Sequence, residues 1–311
     1  MITDISVVIP TYNRIDTLRH VIPALLRQDM PSDRYEILVA DSNSNDGTAE
    51  YLAEIAERDD RVRHLPGPYT GRAGARNAGI RAARGEVVLF TDADILASAD
   101  LLSRHWAHHK DRERVAVVGM ELQVGSFEDY HRQSRDTSVR RPLHPSTRKR
   151  LSWLYFLTGN ASVRRADLEA VGAFDESFTG YGHEDLELGY RLQAAGVTIL
   201  YEPEAVNYHW HPVGYDEQKG RMELAGRSTV RFYNKHHDLR VQMNLGMTPV
   251  SLWLHTLLAK APGVYGTLER AGRRDGAKNT WPHIARQIVY QYHYVSGIKR
   301  ALASTKNQGA E

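Results

Sequence analysis

The stretch Val87-Val88-Leu89-Phe90-Thr91-Asp92-Ala93-Asp94 decides the fold. Four apolar residues, two of them β-branched, run without a polar break. That pattern predicts a buried strand, central in a parallel sheet. The run ends on two carboxylates separated by one residue. Open α/β sheets collect ligands at the carboxyl ends of their strands. Hard oxygen donors this close together suit a divalent cation such as Mg2+ or Mn2+, with diphosphate oxygens completing the shell. An isolated Asp-x-Asp is also a common solvated acidic turn, so its meaning depends on the flanking chain.

Upstream, three more strand–helix units are legible. Ile5-Ser6-Val7-Val8-Ile9 reads as a first buried strand, followed by the loop Pro10-Thr11-Tyr12-Asn13-Arg14. A helix then starts near Asp16 or Thr17, with Leu18, Val21, Ile22, Leu25 and Leu26 at helical spacing. Tyr35–Ala40 reads as a second strand ending at Asp41, and the polar run to Thr48 caps a helix over 49–57. Asp46 suits that capping role, whereas Asp41, at the end of a buried strand, suits a ligand-binding one. Val62–Leu65 is a short third strand, and 71–84 holds a loop and a helix. Repeated strand–helix alternation predicts a doubly wound, mostly parallel sheet. No Gly-x-Gly-x-x-Gly follows the first strand and no Gly-x-x-x-x-Gly-Lys-Ser/Thr occurs, which excludes a dinucleotide fold and a P-loop.

Downstream, residues 115–124 predict another strand. Residues 125–150, polar and rich in arginine, predict a long loop. A short helix is expected from Arg165 to about Val171. Glu184 and Asp185 open a helix in which Leu188, Leu192 and Ala195 share a face. Carboxylates in a first helical turn stay ionised more easily, and one in a cleft can take a proton from a hydroxyl. Ordinary acidic enrichment at a helix start is the competing reading. After a strand at 198–201, His209 and His211 fall on one side of an extended chain and can complete a metal shell begun by carboxylates.

The 311 residues allow one large domain or two smaller ones. Of these, 41% are apolar and 25% charged, a soluble globular composition without any run long enough to span a membrane. The first residues form a strand pattern rather than a signal peptide. Without cysteine, disulfides, thiolate metal sites and cysteine nucleophiles are excluded, and a cytoplasmic protein is expected. A net charge of +2 argues against nucleic acid as a partner. From Gly214 onward there are 15 Lys and Arg against 7 Asp and Glu, a net +8, while the chain before it carries a net −6. Two regions with different surroundings are expected, 1–213 and 214–311.

Five motifs in register resemble the family 2 inverting glycosyltransferases of the GT-A fold. They are Pro10-Thr11-Tyr12-Asn13-Arg14, the strand ending at Asp41 with Asp46-Gly47-Thr48, Ala75-Arg76-Asn77-Ala78-Gly79, Asp92-Ala93-Asp94 and Gly182-His183-Glu184-Asp185. The segment from Phe174 to Leu192 also resembles the carboxyl half shared by bacterial chondroitin-polymerase-like enzymes, galactosyltransferases and polypeptide N-acetylgalactosaminyltransferases. The resemblance implies a GT-A (nucleotide-diphospho-sugar transferase) sheet over 1–213, with a nucleotide-sugar half, 1–95, and an acceptor half, 96–213. It implies that Pro10, Thr11, Tyr12, Arg14, Asp41, Arg76 and Asp92 bind a nucleotide sugar, UDP-linked by preference. By the same resemblance Asp94, with His209 and His211, holds Mn2+ or Mg2+. Asp185 is the implied catalytic base, with Glu184 beside it. Gly159 and Asn160 form an acceptor-side turn with Glu184, the acceptor being a saccharide, a lipid-linked sugar or a small molecule. A retaining transferase and a non-catalytic sugar-nucleotide or carbohydrate-binding protein of the same fold stay open.

The resemblance stops near residue 213. In the tail, 215–234 reads as a polar helix with several basic residues, 250–258 is an apolar run too short to span a bilayer, and 284–302 carries an apolar stripe with Arg286, Lys299 and Arg300 nearby. Such stripes serve packing, a homodimer contact, or peripheral contact with the inner face of a membrane.

Overall fold

A computed structural model of the chain describes residues 3–136, 149–210, 213–274, 276 and 278–308. The chain forms two compact units, one made of 1–179 and 184–212, the other of 180–183 and 213–311.

The first unit begins with the parallel strands β1 (Ile5–Thr11), β2 (Tyr35–Asp41), β3 (Val62–Pro66) and β4 (Val87–Phe90), ordered β3-β2-β1-β4. Every residue of β2 and β4 is buried, as continuous apolar runs require. Helices α1 (Ile15–Leu26), α2 (Thr48–Arg58) and α3 (Gly71–Ala82) connect them. Leu18, Val21, Ile22 and Leu25 of α1 and Leu52 of α2 fill one core with Val7, Ile9, Ile37, Val39 and Leu89. Thr11 pairs with Asp41, and Val8 with Phe90, so the carboxyl ends of three strands lie along one edge. Gly79 sets the seat of α3: an added Cβ would stand 2.3 Å from Val8 Cγ1. Only glycine lets the helix lie that close to β1, which carries Arg76 and Asn77 down onto the sheet.

The sheet continues through β5 (Ile95–Ala97), β6 (Val115–Gln123), β7 (Arg150–Leu151), β8 (Ala161–Arg164) and β9 (Thr198–His209). Among the described residues its order is β3-β2-β1-β4-β8-β6-β9-β5, with β7 also on β9. β8 runs antiparallel between β4 and β6, while β6 and β9 are parallel. The result is a mixed sheet whose first half is the expected doubly wound one. Four helices join this half: α4 (Leu101–His109), α5 (Phe127–Arg135), α6 (Arg165–Ala170) and α7 (Glu184–Ala194).

One irregularity positions the far end of β9. Its pairing with β6 jumps from Gly119↔Glu202 to Met120↔Val206, a bulge of three residues. Asn160 repairs it. Its Nδ2 donates to Met120 O (3.1 Å) and Ala205 O (2.9 Å), and its Oδ1 accepts from His105 Nε2 (2.9 Å). His105 Nδ1 in turn meets Ser162 Oγ (2.8 Å), which also meets His109 Nε2 (2.8 Å). Burial pushes the two imidazoles down to about 4 and about 3, so both are neutral in this chain of hydrogen bonds. Beyond the bulge β9 pairs with β5, bringing His209 opposite Ile95.

The expected loop over 125–150 contains α5, started by Ser126 Oγ accepting from Asp129 N (3.0 Å). Phe127 of α5 packs on His20 and Trp210, and Tyr130 on Tyr208. Residues 137–148, most of the Arg-rich segment, lie outside the described residues.

The second unit is helical: α8 (Tyr215–His236), α9 (Leu239–Asn244), α10 (Pro249–Ala259), α11 (Pro262–Gly272) and α12 (Trp281–Gln308). α8 and α12 cross at two glycines. A Cβ on Gly226 would stand 2.0 Å from Tyr294 O, and one on Gly297 would stand 2.0 Å from Glu223 O. Among the described residues no helix is long and apolar enough to cross a membrane.

Gly119 lies inside the repaired bulge, where an added Cβ would stand 2.3 Å from Ala205 O and 2.4 Å from Asn160 Nδ2. Gly119→Ala should destabilise the first unit by about 1–3 kcal/mol through overpacking. Chemical denaturation followed by Trp fluorescence checks this; an unchanged midpoint would mean that the bulge is soft.

Candidate active site

The site is built on the carboxyl edge of the sheet. At its nucleotide-side end, Asp41 closes β2 and is buried. Its Oδ1 accepts from Ser44 N (3.1 Å) and Ser44 Oγ (2.5 Å), and its Oδ2 lies 3.5 Å from His64 Nε2. Thr11, its pairing partner, buries an Oγ1 that has no protein partner. Pro10 is half-buried, while Tyr12 and Arg14 extend into solvent, Tyr12 at 59% exposure. Asp46 caps two helices: Oδ2 accepts from Ile15 N (3.0 Å) at the start of α1, and Oδ1 from Thr48 N (3.1 Å) at the start of α2.

Arg76 occupies the centre. Its side chain is 2% exposed, with Nη2 donating to Asp92 Oδ1 (2.8 Å) and Nη1 to Glu184 Oε1 (3.1 Å). The guanidinium also sits 5.5 Å from the centroid of the Phe174 ring. Both acidic motifs are thereby joined through one cation. The sequence expectation placed Arg76 on the donor. In the structure its two terminal nitrogens donate to Asp92 and Glu184. Its neighbour Asn77 fastens the intervening loop, with Nδ2 donating to Phe174 O (2.9 Å) and Oδ1 accepting from Phe174 N (2.9 Å). Arg191 braces the same loop from α7, donating to Ala173 O (2.6 Å) and to the buried Glu187 (2.7 Å).

Asp185 follows Glu184 in the first turn of α7, its Oδ1 accepting from Leu186 N (2.8 Å). Burial and then the negative charge of Glu184 raise its pKa, Arg76 works the other way, and the outcome is about 7. A carboxyl group poised near neutrality is the property of a general base. Glu184 keeps one buried oxygen, Oε2, without a protein partner.

The second carboxylate of the strand-end pair faces elsewhere. Asp94 Oδ1 lies 3.6 Å from His209 Nε2, and His209 Nδ1 lies 3.1 Å from Glu121 Oε1. Burial opposes a charge on His209, but the two carboxylates outweigh it and push its pKa up to about 10. Two acids thus call for a cation at this place. The 3.6 Å separation is long for a hydrogen bond but matches two donors that each stand about 2.0–2.6 Å from one ion. Glu121, at the end of β6, fixes the ring from its other nitrogen, as a supporting carboxylate does for a metal-bound histidine. Among the described residues no three His, Asp or Glu side chains form a complete shell. The pair leaves positions for ligand oxygens. His211 lies outside the described residues.

Gly159 stands against this cluster, since an added Cβ would be 2.4 Å from Glu121 Oε2. Its carbonyl accepts from Asn207 Nδ2 (2.6 Å). Asn160, expected beside it as an acceptor contact, is turned inward: its side chain is consumed by the bulge and by His105. Glu121 and Asn207 were not singled out in the sequence, because polar residues near a strand end read as surface positions.

The profile described as Glycosyl transferase family 2 matches residues 6–172, more than half of the chain. One described as the N-terminal domain of galactosyltransferase matches 143–211. A validoxylamine A glucosyltransferase of Streptomyces hygroscopicus subsp. jinggangensis (strain 5008) is 30% identical over 276 residues, 78% of this chain and 64% of that protein. A chondroitin synthase of Escherichia coli is 26% identical over 278 residues, 77% of this chain and 40% of that one. The chain spans less than two thirds of the length of these relatives. Among solved structures, the mannosyltransferase PcManGT from Pyrobaculum calidifontis, in complex with GDP-Man and Mn2+, superposes with a TM-score of 0.64 at 20% identity, covering 96% of this chain and 86% of that one, a likeness of fold. The family match runs from the first strand through the acidic pair and on past β8, so the chain belongs to glycosyl transferase family 2, and its fold is the GT-A fold of the solved neighbours.

Proposed function

We propose that the protein is a metal-dependent inverting transferase, moving a sugar from a nucleoside diphosphate, UDP by preference, to a hydroxyl of a saccharide, lipid-linked or small-molecule acceptor. The observation that carries this reading is the buried Asp92–Arg76–Glu184 bridge, which ties the strand-end acid Asp92 to the helix start that carries Asp185. Asp185 takes the acceptor proton while the acceptor oxygen bonds to the anomeric carbon. The bond from that carbon to the diphosphate oxygen breaks, and its electron pair leaves with the diphosphate. A single displacement inverts the configuration, with base and leaving group on opposite faces, the logic of inverting glycosidases.

Asp94 and His209 would hold the cation, with Glu121 orienting the imidazole. When bound, a divalent ion supplies Lewis-acid neutralisation of the departing diphosphate. Asp92, steadied by Arg76, accepts hydrogen bonds from ribose or sugar hydroxyls. Asp41, with Thr11 and the exposed Tyr12, takes the base; a carboxylate accepts the ring N–H of uracil, which favours UDP.

Asp185→Asn should lower kcat by at least about 10²-fold, the share of a general base, while leaving donor affinity unchanged. In the parent enzyme kcat/KM for acceptor should rise with pH through about 7, because the base works only when ionised. Glu184→Gln removes a negative charge that raises this pKa, so it should move the acid limb to lower pH. Near-normal turnover of Asp185→Asn, or a product of retained configuration, would sink the assignment.

Calorimetric titration of UDP-, GDP-, TDP- and CDP-sugars with and without Mn2+ tests the donor reading. One nucleotide should bind more tightly with Mn2+, and Asp94→Ala should abolish that difference. Glu121→Gln should weaken Mn2+ by about 10–100-fold, the usual cost of losing a supporting carboxylate. Equal donor affinity with and without metal would overturn the cation site.

A further inference from the structure

Thirteen large apolar side chains of the described residues are exposed, and eleven of them lie in the second unit. They are not scattered. On α10, Val250 (65% exposed), Trp253 (60%), Leu254 (53%) and Leu257 (46%) fall at i, i+3, i+4 and i+7, one face of a helix. On α9, one short connection earlier, Leu239 and Met243 fall at i and i+4 and are exposed as well.

The outward stripe is not the sign of a loosely packed helix. The opposite face of α10 is anchored on α12: His255 Nε2 meets Ser296 Oγ (2.8 Å), its ring stacks on Tyr292 at 4.4 Å, and Lys299 Nζ donates to Thr256 Oγ1 (2.5 Å). Leu252 and Leu258 join the two cores of this unit. α10 is thus fixed in place with a Trp and three aliphatic side chains directed outward.

The surroundings are basic. From 239 to 308 the sequence holds ten Lys and Arg against Glu269 and Asp275, and α12 contains no carboxylate at all. Lys260 and Lys278 are exposed. Arg240, Arg273 and Arg300 are paired with acids, but Lys260 at the end of α10 has no ion pair among the described residues, and a two-fold contact between copies would set this basic region against itself. An anionic lipid surface offers the opposite sign, and its headgroup boundary is where Trp side chains settle. With 11 residues α10 is about 16 Å long, too short to cross a bilayer but suited to lying in its interface.

We propose that the α9–α10 face is a membrane-docking surface for an anionic phospholipid bilayer, with Trp253, Leu254 and Leu257 entering the headgroup–acyl boundary and Lys260, at the end of α10, meeting the lipid phosphates. This surface is independent of the transferase reading and stands or falls separately from it.

The test uses the full chain and sucrose-loaded vesicles of phosphatidylcholine, with and without phosphatidylglycerol. The protein should sediment with the phosphatidylglycerol vesicles and be released by salt. Trp253→Glu combined with Leu257→Glu should lower the partition coefficient at least tenfold, with unchanged circular dichroism. Lys260→Glu with Lys278→Glu should weaken binding only to the anionic vesicles. Absence of binding to phosphatidylglycerol vesicles, equal binding to both lipid compositions, or full retention by the Trp253/Leu257 variant would overturn the proposal. So would light scattering that finds a dimer which the same variant splits while vesicles bind neither form.

Discussion

A single guanidinium, buried to 2% exposure between Asp92 and Glu184, is the contact on which the catalytic edge depends. Taking an arginine out of water is costly unless carboxylates take over its hydration. Here the two come from segments 92 residues apart, so the cation holds the end of β4 to the start of α7. Removing either carboxylate would leave a buried charge under-compensated, which generally costs about 3–5 kcal/mol. The bridge also sets the chemistry. One positive charge serves three acids, Asp92, Glu184 and Asp185, and the one with no ion pair to it, Asp185, is the one whose pKa is driven up to about 7. Arg76 Nε and Glu184 Oε2 have no protein partner, so the bridge retains hydrogen-bonding capacity that it does not use internally.

The strand-end acids separate into two tasks because the chain turns between β4 and β5, so that residues two apart meet different partners. Asp92 faces Arg76; two residues on, Asp94 faces His209. The second arrangement depends on a bulge in β9 that only a glycine at 119 and an amide at 160 can accommodate. Had β6 and β9 stayed in one register, the three residues 203–205 would have continued the ladder and His209 would lie elsewhere. The buried His105–Ser162–His109 chain supports that amide from behind, so a hydrogen-bond network at the sheet interior fixes where a ligand nitrogen points at its edge.

Local patterns were legible in the sequence where the forces are local. The apolar runs at Ile5–Ile9, Tyr35–Ala40 and Val87–Phe90 can only be buried strands, and Leu188 and Leu192 mark the inner face of α7 before any tertiary contact is known. The acid pairs stand at element ends, so their edge location followed from the strand and helix limits. What sequence spacing could not convey is which side of a residue faces its partner across long chain separations. Arg76 reads as a surface arginine or a donor ligand until Asp92 and Glu184 enclose it. Asn160 reads as an acceptor turn until the bulge in β9 claims its amide. Glu121 looks like an exposed strand residue until His209 arrives from 88 positions away. α5 was hidden for another reason: its interior residues are aromatic and its face is short, so the polar majority masked the helical period.

The near-neutral total charge of +2 conceals opposed demands. Up to Val213 the chain carries a net −6, and part of that excess is concentrated at the strand ends, where Asp41, Asp92, Asp94, Glu121, Glu184 and Asp185 gather. Like charges held close together weaken a fold unless a cation shares the space. Arg76 answers for one end, and at the other His209 lies between Asp94 and Glu121. A site that keeps more carboxylates than its own cations can neutralise holds a standing preference for positive charge. The helical unit carries the reverse excess on a surface that exposes Trp and Leu. The two sets of charges therefore belong to two different jobs, and averaging them over the chain erases both.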